Sequence, residues 1–418
     1  MDKSNKLECL DGLRGIAVLA VVFFHQRLES ESFPHHSLIY RLLAPSRLGF
    51  IGVHLFLVLS GFCLTYSLIR RSRAGKSPTL KRYFFDRLRR IVPPYYAAIA
   101  VYLAATVVWS ALGRAPFRNE PLNVKQVLVH LAFIHGLWPE TLEGINSPFW
   151  SLSLEFQFYA AFPLLFAAAA RFGHFRVIAA VGAASLAYRG WVLIALPHEI
   201  WTYLNGFFLG RWFEFALGMG VAAWILNHSP ELESNRRPFL KISLLVCASI
   251  FLIGSGLALG ELHKPLLMDH LIGSGFACLL AAILLSTELD GRLGQFVSSH
   301  VLVFIGTISY SLYLMHSIVL AWFDRSYRRF ETTNWLMDLA LLIAAIGTAI
   351  AVGVLFYQVI EKRFIRSVDS GSKRSVERRD RFATTRTARE TEATGRLLWN
   401  PIVEGSPDRP AHQPPIAV

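Results

Sequence analysis

The residues best suited to acid–base chemistry lie inside apolar stretches of this 418-residue chain. Arg14 and His25 are eleven residues apart in the segment LDGLRGIAVLAVVFFH. At 100° per residue, this spacing falls about 20° past three helical turns, so both side chains share one helix face, about 16 Å apart along the axis. Asp11 shares that face and lies one turn before Arg14, which predicts an ion pair that anchors the helix end. An ionisable residue in an apolar helix indicates function, but a membrane His can also simply lie at the interface.

Two further groups that can carry protons occur in other apolar segments. Glu155 ends the stretch WSLSLE, which begins at Trp150. His316 ends the stretch SYSLYLMH, which contains Tyr313. The orientation derived below places His25, Glu155 and His316 at a similar depth in the outer half of a membrane; the alternative is a structural polar network between helices. A separate pair, Arg211 and Glu214, is predicted to neutralise itself as an intramembrane ion pair.

A basic segment, FDRLRRIVPPYY, carries Arg87 and Arg90, which would point the same way on a helix. Arginine suits bidentate phosphate recognition. Pro93 and Pro94 follow and predict a kink or a restart of the helix. The alternative is that these arginines only set membrane topology and contact lipid headgroups.

The elements that must position these residues are apolar helices. Hydrophobic residues make up 53% of the chain and charged residues 17%, below the roughly 25% charged residues of soluble proteins. We therefore predict an all-α, polytopic membrane protein with about ten transmembrane helices. The predicted spans are 9–27, 48–69, 91–113, 150–170, 177–196, 206–227, 241–259, 268–287, 301–323 and 335–360. The longer loop at 114–149 is expected to hold a short interfacial or re-entrant helix.

Charge sets the expected orientation. The net charge of +13 divides between Arg70–Arg90, at +8, and Lys362–Arg396, at +6, so the rest of the chain is near neutral. The positive-inside rule then places the basic loop 70–90 and both termini in the cytoplasm. We expect residues 1–365 to form the membrane domain and 366–418 a disordered cytoplasmic tail. The charge needs no nucleic-acid partner, and the four widely spaced cysteines indicate neither a disulfide framework nor a metal site.

These residues leave two functions open. Basic residues at the cytoplasmic end of the bundle, with His and Glu near the outer face, fit a particular kind of donor. Its phosphorylated head stays at the cytoplasmic side, and its reactive end extends toward the outer face. Acyl-coenzyme A has that shape. The same arrangement fits a proton-coupled transporter or a flippase of cell-envelope precursors, in which membrane His and Glu carry protons. A non-catalytic scaffold is disfavoured by the His25, Arg14 and Glu155 set.

Six motifs in the same order resemble the acyltransferase 3 family of integral membrane O-acyltransferases, over about residues 1–365. They are the Arg14-x10-His25 element, GVHLFLVLSGF, the Arg87-x-x-Arg90 element followed by proline, WSLSLE ending at Glu155, RWFEFALGM and SYSLYLMH. Leu55 stands at a usually aromatic position of the second motif. We expect a form without the additional C-terminal SGNH-type domain that many relatives carry.

The resemblance implies transfer of an acyl group, usually acetyl, from cytoplasmic acetyl-CoA or another acyl-CoA to a hydroxyl of an extracytoplasmic or membrane-bound carbohydrate or glycolipid. It implies no metal, contact with membrane lipid, and a bacterial inner membrane. By analogy, His25 is the general base or a transient acyl carrier, and Glu155 orients or charge-balances it. Arg14 contacts the donor chain or its carbonyl, and Arg87 and Arg90 hold the phosphates. Trp150, Tyr313 and His316 are candidates for substrate binding.

Overall fold

The computed structural model describes residues 3–29, 44–75, 79–112, 123–196, 200–233, 238–289, 291–327 and 335–365. Within these ranges every regular element is a helix, as the apolar runs of the sequence predict. The helices are α1 (Lys3–Glu29), α2 (Ile51–Arg73), α3 (Leu80–Ala111), α4 (Val124–Leu131), α5 (Pro139–Leu142), α6 (Trp150–Phe172), α7 (His174–Ala195), α8 (Ile200–Gly206), α9 (Phe208–Glu233), α10 (Pro238–Glu261), α11 (Pro265–Glu288), α12 (Arg292–Val297), α13 (His300–Thr307), α14 (Ser309–Tyr327) and α15 (Trp335–Phe356). Short 3₁₀ turns cover Ala44–Phe50, His135–Leu137 and Ser147–Phe149, and a π-helical turn covers Tyr357–Glu361.

The number of helices that can cross a bilayer is close to the predicted number. In the described parts of the chain, eight helices are long and apolar enough, and a bent pair raises the number to nine. These helices coincide with nine of the ten predicted spans. The remaining predicted span, 9–27, falls on α1, which is helical but is not among the nine. The protein is a polytopic helical membrane protein, while the count of ten and the cytoplasmic termini stay predictions.

The structure adds detail to two local predictions, the span 301–323 and the kink or restart at Pro93 and Pro94. The stretch 301–323 is not one straight span, because α13 and α14 meet at a bend of 75°. The helix does not restart at Pro93 and Pro94, since α3 continues through both. Beside this stretch, Tyr310 of α14 donates a hydrogen bond of 3.0 Å to the carbonyl of Ile91, two residues before Pro93. Neighbouring helices commonly supply such partners around a proline in a membrane helix.

Helix α1 packs directly on α2, α13 and α14. The contact with α13 depends on small residues, because a Cβ atom on Gly306 would lie 1.7 Å from the Asp11 carbonyl oxygen. Helices α2 and α9 cross equally closely, since a Cβ on Gly218 would lie 2.0 Å from the Val58 carbonyl oxygen. Small residues at such crossings let helix backbones approach in membranes. These crossings fix the faces of α1 and α2 that carry the candidate site.

The loop before α6 contains the predicted short helix, α4. The buried His135 of this loop donates a hydrogen bond of 2.9 Å from Nε2 to the carbonyl of Phe149. Burial lowers the pKa of His135 to about 4, so its imidazole is neutral at physiological pH. This contact helps to fix the start of α6, where Trp150 and Ser151 lie. The predicted tail, 366–418, lies outside the described residues, and the domain boundary stays a prediction.

Candidate functional site

The first of two neighbouring cavities is called here the arginine cavity, after three arginines in its wall. Its volume is about 120 Å³, and Arg14, Arg87 and Arg90 line it together with Glu155 and Tyr159. The arginines come from α1 and α3, and the acid comes from α6. The structure therefore brings together the three arginines that the sequence assigned to donor binding. The lining holds three guanidinium groups and one carboxylate, and Arg14 is also paired with Asp11, so Arg87 and Arg90 are the groups that favour an anionic ligand.

Arg14 makes the predicted ion pair with Asp11, with 2.9 Å between Nη1 and Oδ1. Its Nη2 also lies 3.5 Å from Cys63 Sγ on α2. Glu155 accepts a hydrogen bond from the Tyr159 hydroxyl one turn along its own helix. Glu155 thus takes part in the arginine cavity. From the sequence, Glu155 was predicted to lie at the same depth as His25.

The second cavity, called here the histidine cavity, is larger, at about 880 Å³. His25, Trp150 and Tyr313 line it, as do His54 and Arg211. On α1, His25 is about 16 Å from Arg14 along the helix axis. The two predicted catalytic residues on α1 therefore open into different cavities.

His25 contacts His316, whose partner role the sequence did not predict. His316 Nε2 lies 3.3 Å from His25 Nδ1, and the ring centroids are 4.9 Å apart. His316 Nδ1 faces the carbonyl oxygens of Leu312 and Tyr313 at 3.2 and 2.8 Å. Because a carbonyl only accepts hydrogen bonds, this Nδ1 carries the proton and Nε2 of the same ring is an acceptor.

The same reasoning assigns the tautomer of His25. Its Nδ1 lies 2.9 Å from the carbonyl oxygen of Val21 and also faces the acceptor nitrogen of His316. Nδ1 of His25 must therefore carry the proton, which leaves the lone pair on Nε2. A neutral imidazole with this tautomer can accept a proton from a hydroxyl bound in the histidine cavity.

Tyr313 lies between the cavities. Its hydroxyl donates a hydrogen bond of 2.7 Å to the carbonyl of Pro148 and lies 2.6 Å from Ser151 Oγ. Its ring lines both cavities and stands 5.7 Å from the ring of His316. Val53 of α2 also lines both cavities. The arginine cavity and the histidine cavity therefore share Val53 and Tyr313 in their walls.

A buried ionic cluster supports one side of the histidine cavity. The predicted pair of Arg211 and Glu214 is present at 2.9 Å, but it belongs to a larger group. Asp269 accepts from Arg211 at 3.0 Å and from Arg189 at 2.5 Å, and His54 lies 3.2 Å from Glu214. Two guanidinium groups thus balance two carboxylates, and both carboxylates hold Arg211 and His54 in the cavity wall.

The ligand atoms of His54, Glu214 and Asp269 lie within 4.8 Å of one another, a spacing that could hold a cation. The carboxylates already ion-pair with Arg189 and Arg211 at distances of 2.5 to 3.0 Å, and these positive charges would oppose a metal ion. The residues thus fit an internal ion-pair network better than a metal centre. The absence of a metal from the site stays a prediction.

Several residues of the site were missed by the sequence analysis. They are His54, Tyr159, Arg189, Asp269, Tyr310 and Glu361. Glu361, in the π-helical turn, is buried and accepts a hydrogen bond of 2.5 Å from Ser311. Arg189 and Asp269 carried a usable signal, because each is an ionisable residue inside a predicted span, whereas Glu361 stands one residue past the end of the last predicted span.

Comparison with known proteins gives a consistent result. A family model described as an acyltransferase domain, Acyl_transf_3, matches residues 7–357. The chain is similar to the peptidoglycan O-acetyltransferase OatA of Listeria monocytogenes, with 26% identity over 73% of this chain and 48% of the relative. It is also similar to the acyltransferase MdmB of Streptomyces mycarofaciens, with 28% identity over 89% of this chain and 94% of the relative. The exopolysaccharide production protein ExoZ of Rhizobium meliloti shares 27% identity over 76% of this chain and 90% of the relative.

The chain spans about half the length of the peptidoglycan O-acetyltransferases it matches. No solved structure matches it. The family model, however, covers most of the chain and includes all the residues of the two cavities. The chain therefore belongs to the acyltransferase family that the Acyl_transf_3 domain defines, and the resemblance inferred from its motifs is confirmed.

Proposed function

We propose that this chain is a membrane O-acyltransferase of the bacterial inner membrane. It moves an acyl group, acetyl in the simplest case, from cytoplasmic acyl-CoA to a hydroxyl of an extracytoplasmic or membrane-bound carbohydrate. The observation that carries the proposal is the pair of adjacent cavities, one lined by three arginines and the other by a histidine with a free Nε2 lone pair. The names of the relatives, which include O-acetyltransferases of peptidoglycan, support the acceptor class.

The donor binds with its phosphates at Arg87 and Arg90, since guanidinium groups form bidentate hydrogen bonds with phosphate. With the predicted orientation, Arg87 and Arg90 lie at the cytoplasmic end of the arginine cavity, and acyl-CoA is made in the cytoplasm. Arg14 lies beside the part of the donor between its phosphates and its thioester. Glu155 balances part of the positive charge of the three arginines. The thioester then reaches the wall between the cavities, next to the histidine pair.

The acceptor binds in the histidine cavity with its hydroxyl at His25 Nε2. As the hydroxyl oxygen attacks the thioester carbonyl, the O–H bond breaks and His25 takes the proton. A new C–O bond forms, the C–S bond breaks, and the coenzyme A thiolate leaves with the proton that His25 returns. The carbonyl of Val21 and Nε2 of His316 both face Nδ1 of His25 and together keep the lone pair on Nε2.

The test is transfer of radiolabel from acetyl-CoA to carbohydrate acceptor by the purified protein in lipid vesicles. We expect His25→Gln to lower transfer by about 10²- to 10⁴-fold. His300→Gln, which replaces an exposed histidine outside both cavities, should retain full transfer. Full activity of His25→Gln would exclude the base mechanism. Movement of the acceptor across the vesicle membrane without consumption of acetyl-CoA would instead support a flippase.

The donor site is tested separately. Arg87→Gln together with Arg90→Gln should raise the KM for acetyl-CoA, because two phosphate contacts are lost. Lys81→Gln is the matched control, since Lys81 is an exposed cation on the same helix outside the cavity. If Lys81→Gln raises the KM equally, the arginines act only through the general positive charge of this surface.

A further inference from the structure

In the described parts of the chain, Val53 and Tyr313 are the two residues that line both cavities. Val53 stands near the start of α2 and is 8% exposed, and Tyr313 stands one turn into α14 and is 5% exposed. The part of the wall that the two cavities share is thus formed by one aliphatic and one aromatic side chain. Any acyl group that passes from one cavity to the other must pass these two residues.

The aromatic half of the wall is held in place from several directions. The Tyr313 hydroxyl is tied to Pro148 and Ser151 at the start of α6. Its ring stands 6.3 Å from the ring of Phe56, which also lines the arginine cavity. A side chain with these contacts has few alternative positions, so this part of the shared wall is held in place.

The depth of the arginine cavity indicates which part of a donor reaches this wall. Val53, Leu57, Ser60 and Leu64 line the cavity at spacings of three and four residues along one face of α2. This stripe is about 16 Å long. At its far end is Cys63, the contact of Arg14. A donor with its phosphates at the arginines therefore extends along this stripe and presents its acyl end to Val53 and Tyr313.

We propose that Val53 and Tyr313 form a partition that selects the acyl group by length. This inference rests on the proposed function, because it assumes that the arginine cavity holds an acyl-CoA. An acetyl group fits on the arginine-cavity side of the partition with its carbonyl next to the histidine pair. A longer acyl chain meets the side chains of Val53 and Tyr313.

The size of Val53 then decides which donors are used. Val53→Ala removes two methyl groups from the partition, and Val53→Ile adds one carbon atom. A matched control exists on the same helix, because Val58 is fully buried and lines neither cavity. Val58→Ala removes the same two methyl groups from the core without opening the partition.

The experiment compares acetyl-CoA with butyryl-CoA as donors for the full chain in lipid vesicles. We expect the ratio of kcat/KM for butyryl-CoA to that for acetyl-CoA to rise about tenfold or more in Val53→Ala, since one methylene in an apolar pocket discriminates by at least about that factor. The ratio should fall in Val53→Ile and stay unchanged in Val58→Ala. If the ratio is unchanged in both Val53 variants while the wild type is active on acetyl-CoA, the partition is overturned and the proposed function is not.

A binding measurement keeps the test decisive if a variant folds but does not turn over. Calorimetry with acetyl-CoA and butyryl-CoA, without acceptor, should show a higher relative affinity for butyryl-CoA in Val53→Ala than in Val58→Ala. Equal relative affinities in the two variants contradict the partition. Wild-type protein that neither binds nor consumes acetyl-CoA overturns the proposed function, and the inference with it.

Discussion

Replacing His316 tests whether the proton of the acceptor goes to His25 or to His316. The geometry makes the two histidines unequal. His25 Nε2 carries a lone pair and its ring lines the histidine cavity, whereas His316 is fully buried and accepts from His25 through Nε2. We therefore expect His316 to be a positioning residue that acts through His25.

The magnitude of the effect follows from the contacts that are lost. His316→Leu removes one hydrogen-bond acceptor from His25 Nδ1, but the carbonyl of Val21 remains at 2.9 Å and still fixes the tautomer. One hydrogen bond contributes about 0.5–1.5 kcal/mol, which corresponds to a loss of about 2- to 12-fold in kcat. His25→Gln removes the base itself and should cost about 10²- to 10⁴-fold.

The assay is single-turnover transfer of acetyl from acetyl-CoA at saturating donor. His316→Gln is the matched variant, because its amide oxygen can occupy a place similar to that of Nε2 and accept from His25. It should recover most of the activity that His316→Leu loses, with an unchanged KM for acetyl-CoA. The reasoning is refuted if His316→Leu loses as much as His25→Gln while the protein stays folded, because His316 would then be the base or part of it.

Three further outcomes follow from single contacts. Maleimide alkylation of Cys63 should block transfer, and coenzyme A should protect, because Cys63 lines the arginine cavity 3.5 Å from Arg14; retained activity after complete alkylation contradicts the donor path. Gly306→Ala should lower the Tm in detergent by an amount equivalent to about 2 kcal/mol or more, because the new Cβ would lie 1.7 Å from the Asp11 carbonyl oxygen. Gly347→Ala is the control and should be neutral or stabilising, because a Cβ at Gly347 meets open space. Asp269→Asn should destabilise by about 3–5 kcal/mol, since it leaves the buried guanidinium of Arg189 without its carboxylate; a second change, Arg189→Met, should then cost less than it does alone, and simple additivity would argue against the pairing.

The helical membrane architecture could be predicted from the sequence alone. Apolar runs of about 20 residues specify spanning helices, because backbone groups in lipid must be satisfied within the helix. Nine of the ten predicted spans coincide with helices able to cross a membrane. The face shared by Asp11, Arg14 and His25 is a property of one helix, so helical periodicity alone was enough to predict the pair of Asp11 and Arg14.

Contacts between helices could not be predicted from the sequence, because the depth of a residue along one helix does not give its lateral distance to another helix. Glu155 and His316 were placed at the same depth as His25, but the structure puts His316 against His25 and Glu155 in the arginine cavity. The bend of 75° between α13 and α14 contributes to this outcome, since it changes the direction in which the segment from Ser309 onward runs. Such a bend leaves no clear mark in a hydropathy pattern.

The residue types and their order along the chain therefore established a helical membrane protein, its family and most of the side chains of its site. Only the tertiary structure decided how these side chains divide between two cavities, which histidine carries the free lone pair, and which residues form the wall between them. The physical reason is that helix crossings at small residues such as Gly306 and Gly218 set the lateral distances. Those distances depend on several helices together, and periodicity within one helix does not contain them.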